Sequence, residues 1–267
     1  MTFFLTAILF TAVFAVSIVS SLLGQGGGTL YTPIQVLLGV NFHAASTTSL
    51  FLIMATSFSA TIVFRKARLV DWPLVLVLEL ATATGGFIGG FYSGAFSGTV
   101  LSLVFIVVVA AASFFMIRDI KMNAEKYRVQ PGLFLWKRRC NNKVYYVHLP
   151  IALGLSFVAG GISGLTGIGG GVLKVPLMVL FLSVPMEVAV GSSALMVGIT
   201  ACAGFVGHVL SGHWDWKRSV MLAVLVFIGA QIGSRKSIEV DKKKLQRGFG
   251  WFLLVIVVVM CFQLLLR

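Results

Sequence analysis

Gly24-Gln25-Gly26-Gly27-Gly28-Thr29-Leu30-Tyr31-Thr32-Pro33 and Gly167-Ile168-Gly169-Gly170-Gly171-Val172-Leu173-Lys174-Val175-Pro176 are two copies of one phrase, each set in strongly apolar sequence. Glycine triplets and a proline interrupt a helix at a cost, so a break present twice is expected to have a use. Outward from each copy the agreement continues. At a shift of 143 or 144 residues Pro33 falls on Pro176, Ala45 on Ala189, Thr48-Ser49 on Ser192-Ser193, Asp71-Trp72 on Asp215-Trp216, and Gly85 and Gly89 on Gly229 and Gly233. Shared hydrophobicity does not align so many polar and glycine positions in one register. The chain is a duplicated unit.

Composition sets the class. With 58% hydrophobic and 11% charged residues among 267, and a mean hydropathy of +1.00, the chain is far more apolar than a soluble domain and reads as a polytopic membrane protein. Apolar stretches at 2–23, 44–64, 73–92, 98–117, 148–166, 188–210, 218–234 and 248–266 are each near the length that crosses the hydrocarbon layer. Two shorter ones, 29–40 and 172–184, follow the glycine phrases and reach only part way. The first stretch has no Lys or Arg before it and runs into a glycine phrase, so it is read as part of the fold and not as a signal peptide.

The expected fold is all-α: two repeats, each a broken-helix pair (long segment, glycine loop, short helix) followed by three transmembrane helices. The first repeat is placed at 1–117, a basic cytoplasmic linker at 118–147 and the second repeat at 148–267. If the segments around each glycine loop both cross, or re-enter together on one side, each half has an odd number of crossings and the halves are inverted. That arrangement puts 17 basic loop residues in the cytoplasm and 3 outside; the parallel alternative gives 14 and 6. The positive-inside rule favours inversion. The excess charge of +13 is accordingly assigned to loops and lipid headgroups, and nucleic acid is not expected as a partner.

Successive glycines can turn several backbone N–H groups toward one point, and a helix starting just beyond adds the positive end of its dipole; both favour an anion. The candidate binding positions are Gly24, Gln25, Gly26, Gly27, Gly28 and Thr29 in the first copy. In the second they are Gly167, Gly169, Gly170, Gly171 and Lys174, whose ammonium needs an anionic partner that a substrate could supply. Close helix packing is the competing account of these glycines, and the better one for Gly85, Gly89, Gly229 and Gly233, spaced four apart in unbroken spans. Thr48 and Ser49, with Ser192 and Ser193, open the next span of each half and either donate to substrate oxygens or bond to their own helices.

Glu79 stands in an apolar run, with Ala223 at its repeat position, and is a candidate for proton coupling or else a hydrogen-bonded structural acid. Asp71-Trp72 and Asp215-Trp216 read as a capping aspartate and an interfacial anchor. The four histidines lie at span ends. Cys140, Cys202 and Cys261 suggest neither a disulfide framework nor a metal site, Cys202 reading as a small buried apolar residue. No nucleophile–base set or zinc-protease signature points to an enzyme, and no cofactor or metal is expected.

The doubled GxGGGxLxxP phrase, each copy followed by an Ala, a Ser/Thr pair and Asp-Trp, resembles the TauE/SafE sulfite exporter family, also described as sulfonate transport permeases. The resemblance covers nearly the whole chain. It implies an integral carrier, usually of the bacterial inner membrane, for sulfur-containing anions such as sulfite, sulfoacetate or other organosulfonates. Gln25 and Tyr31 in the first copy replace Ile168 and Lys174 in the second, so the two half-sites are chemically unequal. The reading is a secondary transporter that binds a small oxyanion between the two glycine loops and alternates access. An anion channel and a membrane scaffold or assembly protein are the alternatives. The expected partners are a small anionic substrate and the lipid bilayer, with homo-oligomerisation left open.

Overall fold

A computed structural model describes residues 3–25, 28–38, 40, 42–92, 98–118, 134–166, 171–210 and 216–265. The helices are α1 (Phe3–Leu22), α2 (Gly28–Leu37), α3 (Phe42–Lys66), α4 (Trp72–Tyr92), α5 (Gly98–Arg118), α6 (Leu149–Thr166), α7 (Gly171–Pro176), α8 (Met186–Leu210), α9 (Trp216–Glu239) and α10 (Lys242–Leu265). The eight long ones have 18 to 25 residues and coincide with the eight expected apolar stretches. Among the described residues, Thr47–Lys66 and Trp216–Glu239 are long and apolar enough to cross a membrane, and the other apolar helical stretches are shorter. Large apolar side chains cover the outside, as along α10, where Trp251, Val255, Val258 and Phe262 recur every three or four residues and are exposed. Hydrocarbon suits such a face and water does not.

The short helices carry the two prolines differently. Pro33 lies within α2, whereas Pro176 ends α7 and a π-helical turn, Leu177–Phe181, continues the chain. The Leu182 N–H accordingly bonds to the Leu177 carbonyl at 3.3 Å, five residues back.

The expectation of an all-α chain is corrected in the linker. Leu135–Cys140 (β1) and Lys143–His148 (β2) form an antiparallel hairpin, turning at Asn141 and Asn142, both with positive φ. Trp136, Val144, Tyr145, Tyr146 and Val147 supply the strand preference, and asparagine tolerates the left-handed turn. The basic residues that mark this stretch as a loop obscure that pattern.

Two compact units are present. One comprises Met1–Val70 and Val190–Glu239, the other Asp71–Ala189 and Val240–Arg267, so each draws helices from both sequence halves. In the first, α1 and α3 pack along α9, around Leu9, Val13, Tyr31, Leu52, Val197, Leu222 and Val226. In the second, α4 packs along α6 and α5 along α10.

Matched residues make the closest approaches. A Cβ on Gly85 would lie 2.0 Å from the Phe157 carbonyl oxygen of α6, and one on Gly229 would lie 1.9 Å from Ser17 Oγ and 3.1 Å from the Phe14 carbonyl oxygen of α1. Phe14 and Phe157 are themselves one repeat apart, as are Thr56 and Thr200, whose hydroxyls bond back to the Leu52 and Met196 carbonyls at 2.8 and 2.9 Å. Helix packing is therefore the use of Gly85 and Gly229, and Gly233 does the same against the Ile18 carbonyl at 2.1 Å.

Candidate functional site

The first glycine phrase begins as α1 ends. Gly24 takes φ +71°, and its Cα faces the Val190 backbone so closely that a Cβ would lie 2.3 Å from the Val190 oxygen. Only glycine fits both constraints. The Gln25 N–H bonds to the Ser20 carbonyl at 2.8 Å, which turns the chain out of the helix. The Gln25 side chain is 3% exposed, yet neither its Nε2 nor its Oε1 has a hydrogen-bond partner. Ser20 Oγ and Ser193 Oγ, both fully buried in the same unit, also lack partners. Orphaned buried amides and hydroxyls cost stability and are uncommon in folded proteins.

Several other polar groups of this unit have partners, whereas Gln35 Oε1, Ser57 Oγ and Thr61 Oγ1 do not. Gln35 Nε2 donates to Ser49 Oγ at 2.9 Å and to the Tyr31 carbonyl at 3.1 Å; the Thr48 and Ser219 hydroxyls bond to each other at 3.1 Å. Thr48 and Ser49 thus bond within the protein, as the structural alternative for these hydroxyls has it. Tyr31 is fully buried, with its hydroxyl 2.9 Å from Thr56 Oγ1.

In the second unit Lys174, on α7, reaches Glu79 of α4: Nζ to Oε2 is 2.8 Å, with the side chains 4% and 7% exposed. Two residues singled out separately in the sequence are one ion pair. The anionic partner expected for Lys174 from a substrate is, in this structure, a carboxylate of the chain itself. Removing one member of such a pair strands a charge in an apolar interior.

The hairpin has its own polar centre. Asp71 precedes α4 and accepts from the Leu74 N–H at 3.2 Å, which is the capping role expected of it. It also receives Arg138 Nη2 at 2.5 Å and the Tyr145 hydroxyl at 2.6 Å. The hydrogen bond to Asp71 raises the Arg138 guanidinium above its usual value, and burial followed by the bond to Asp71 pushes the Tyr145 hydroxyl well above the tyrosine range. Lys143 pairs with the buried Glu187 in the first turn of α8, where a carboxylate also suits the helix dipole.

Gly26, Gly27, Gly167, Gly169, Gly170 and Asp215 lie outside the described residues. Gly28 and Thr29 open α2, with the Thr29 side chain outside the description, and Gly171 opens α7. Ser192 is buried beside Ser193 on α8. Cys202 is exposed on α8, which corrects its reading as buried: apolar side chains of a membrane helix can face lipid as well as the core. Sequence reasoning missed Gln35, Ser20 and the Asp71–Arg138–Tyr145 cluster. Ser20 matches Ser163 one repeat on and could have been found that way; Gln35 falls on Met178 and could not.

Long apolar helices, glycine-broken short helices and buried polar groups beside the breaks define a membrane transporter, and the comparisons with known proteins agree. The model of the sulfite exporter TauE/SafE family matches residues 9–260, so the chain belongs to that family. It is 27% identical over 225 residues to "Probable membrane transporter protein YunE" of Bacillus subtilis, covering 81% of this chain and 82% of the relative. A "probable membrane transporter protein" of Methanocaldococcus jannaschii is 22% identical over 254 residues, covering 87% and 86%. No solved structure matches.

Proposed function

We propose that the chain is a secondary transporter of a small sulfur-containing oxyanion, such as sulfite, sulfoacetate or another organosulfonate, in a bacterial inner membrane. The glycine loops supply backbone N–H groups to the anion, and the two halves, inverted in topology, alternate access to it. The observation that carries the reading is Gln25: a buried amide at the glycine break with both polar atoms unbonded, beside a backbone that only glycine can form. An oxyanion would accept from its Nε2 and from the Ser20 and Ser193 hydroxyls.

The test is twofold. Purified protein should gain thermal stability with sulfur oxyanions, because a ligand of the native state stabilises it. Vesicles loaded with unlabelled anion should accumulate labelled anion by counterflow. Stabilisation without counterflow but with anion conductance would make the protein a channel. Gly27→Ala and Gly170→Ala variants that fold and transport normally would eliminate the ligand loops.

A further inference from the structure

The second glycine phrase carries a charge arrangement that its repeat counterpart lacks. Lys174 and Glu79 are paired and buried in the second unit. One repeat away their positions are held by Tyr31 and Ala223, which lie in one apolar cluster of the first unit. There the same short helix and the same long helix carry no charge at these positions, and the Tyr31 hydroxyl is content with Thr56. Buried ion pairs seldom add stability over apolar residues of similar volume. A pair retained in one repeat and absent from the other is therefore better explained by use than by packing.

From this pair, and resting on the oxyanion reading above, we infer that Lys174 and Glu79 form a charge-compensating switch, in which anion binding at Lys174 is matched by uptake of one proton at Glu79. Lys174 stands three residues beyond Gly171, within the phrase that would meet the anion. An anion that takes the ammonium leaves the Glu79 carboxylate without its cation. Two negative charges and one positive charge then share an apolar interior, which is unfavourable, and a proton from the aqueous side onto Glu79 restores neutrality.

Glu79 is the only Asp, Glu, Lys, Arg or His of α4, as Lys174 is of α7; α6 and the π-helical turn have none, and α5 has only Arg118 in its last turn. Glu187, at the start of α8, is engaged by Lys143. Before loading, the site holds Lys174 as the cation and Glu79 as the anion. After loading it holds the same cation, the substrate anion and a protonated Glu79. A monovalent anion thus crosses with one proton and no net charge, and a divalent anion crosses with one proton and one net negative charge. On release the proton returns to the opposite aqueous side and the pair re-forms.

The experiment uses the full chain in vesicles enclosing a pH dye, with methanesulfonate, sulfoacetate and sulfite as probes. Methanesulfonate keeps one negative charge across the working range and cannot carry the proton itself. Wild-type protein should acidify the lumen as the anion enters, at one proton per anion. In Glu79→Gln the number of protons taken up per anion should fall at least tenfold. The paired change Lys174→Tyr with Glu79→Ala copies the first repeat, should fold, should bind the anion at least tenfold more weakly and should move no protons. Acidification at the wild-type ratio by either variant overturns the inference, and the paired change decides the matter if Glu79→Gln does not fold. Wild-type transport without acidification also overturns it and leaves the oxyanion reading standing. If the wild type moves none of the three anions, the oxyanion reading fails first and the switch falls with it.

Discussion

The Phe157 carbonyl oxygen occupies the space that a side chain on Gly85 would need, 2.0 Å from the Cβ position, and Gly160 on the same helix stands in the same relation to the Thr82 carbonyl at 2.1 Å. Two glycines, one on each helix, let α4 and α6 approach backbone to backbone. Gly85→Ala and Gly160→Ala should each destabilise the protein by about 1 to 3 kcal/mol, because backbone on both sides must give way. Their combination should cost less than the sum, since one displacement relieves both clashes. Gly154→Ala meets nothing within 4 Å and should be neutral or slightly stabilising. Thermal unfolding in detergent measures all four; equal tolerance of Gly85→Ala and Gly154→Ala would refute the packing.

Asp71 fixes the hairpin to the start of α4. Asp71→Ala removes the cap and the acceptor of both Arg138 and Tyr145, and should destabilise by about 2 to 4 kcal/mol. Tyr145→Phe removes one charge-assisted bond and should cost about 1.5 to 3 kcal/mol. Hydrogen exchange over residues 135–148 reads the difference from global unfolding. Unchanged protection of the hairpin in Asp71→Ala would show that other contacts hold it.

Cys140 ends β1 on the buried face, and burial pushes its thiol from the ordinary 9.0 up to about 11. The folded hairpin therefore holds its proton more tightly than the unfolded chain does. This contribution to hairpin stability is fully present below pH 9.0 and is lost as pH rises toward about 11. At pH 8 the thiolate fraction should be about 100-fold lower than in the unfolded chain. Alkylation followed by mass spectrometry should show Cys140 protected, and labelling at the unfolded rate would contradict a docked strand.

Gln25→Leu removes an amide that has no partner in the fold. The variant should be as stable as the wild type or more stable by about 1 kcal/mol, while the stabilisation given by sulfur oxyanions should shrink at least tenfold in apparent affinity. Loss of fold stability on this change would mean that the amide serves the structure and not a ligand.

Much of the fold is legible in the chain because membrane helices announce themselves: a run of some 20 apolar residues has few alternatives in a bilayer. The eight long helices and the two short ones begin and end within several residues of the apolar stretches. The hairpin was illegible, since its strand pattern is broken by the arginines and lysines that mark the segment as a loop. Of the candidate site, the phrase that turns out of α1 at Gly24 was visible, because positive φ and close approach leave a glycine in the sequence. Which hydroxyls are spoken for was not: Ser49 is bonded and Ser193 is not, although the two occupy equivalent places in the repeat.

The duplication, the apolar helices, the glycine breaks and the choice of Gly85 and Gly229 for close packing are readable from the residues alone, because each is a local property or a repeated one. Tertiary structure alone decided that Lys174 meets Glu79 across 95 residues, that Asp71 gathers Arg138 and Tyr145, and that Gln25 is left with nothing to bond. Pairing of charges and orphaning of amides depend on which helices lie side by side. Neither repeat spacing nor hydropathy encodes that neighbourhood, and residues one repeat apart, such as Tyr31 and Lys174, can face entirely different chemistry.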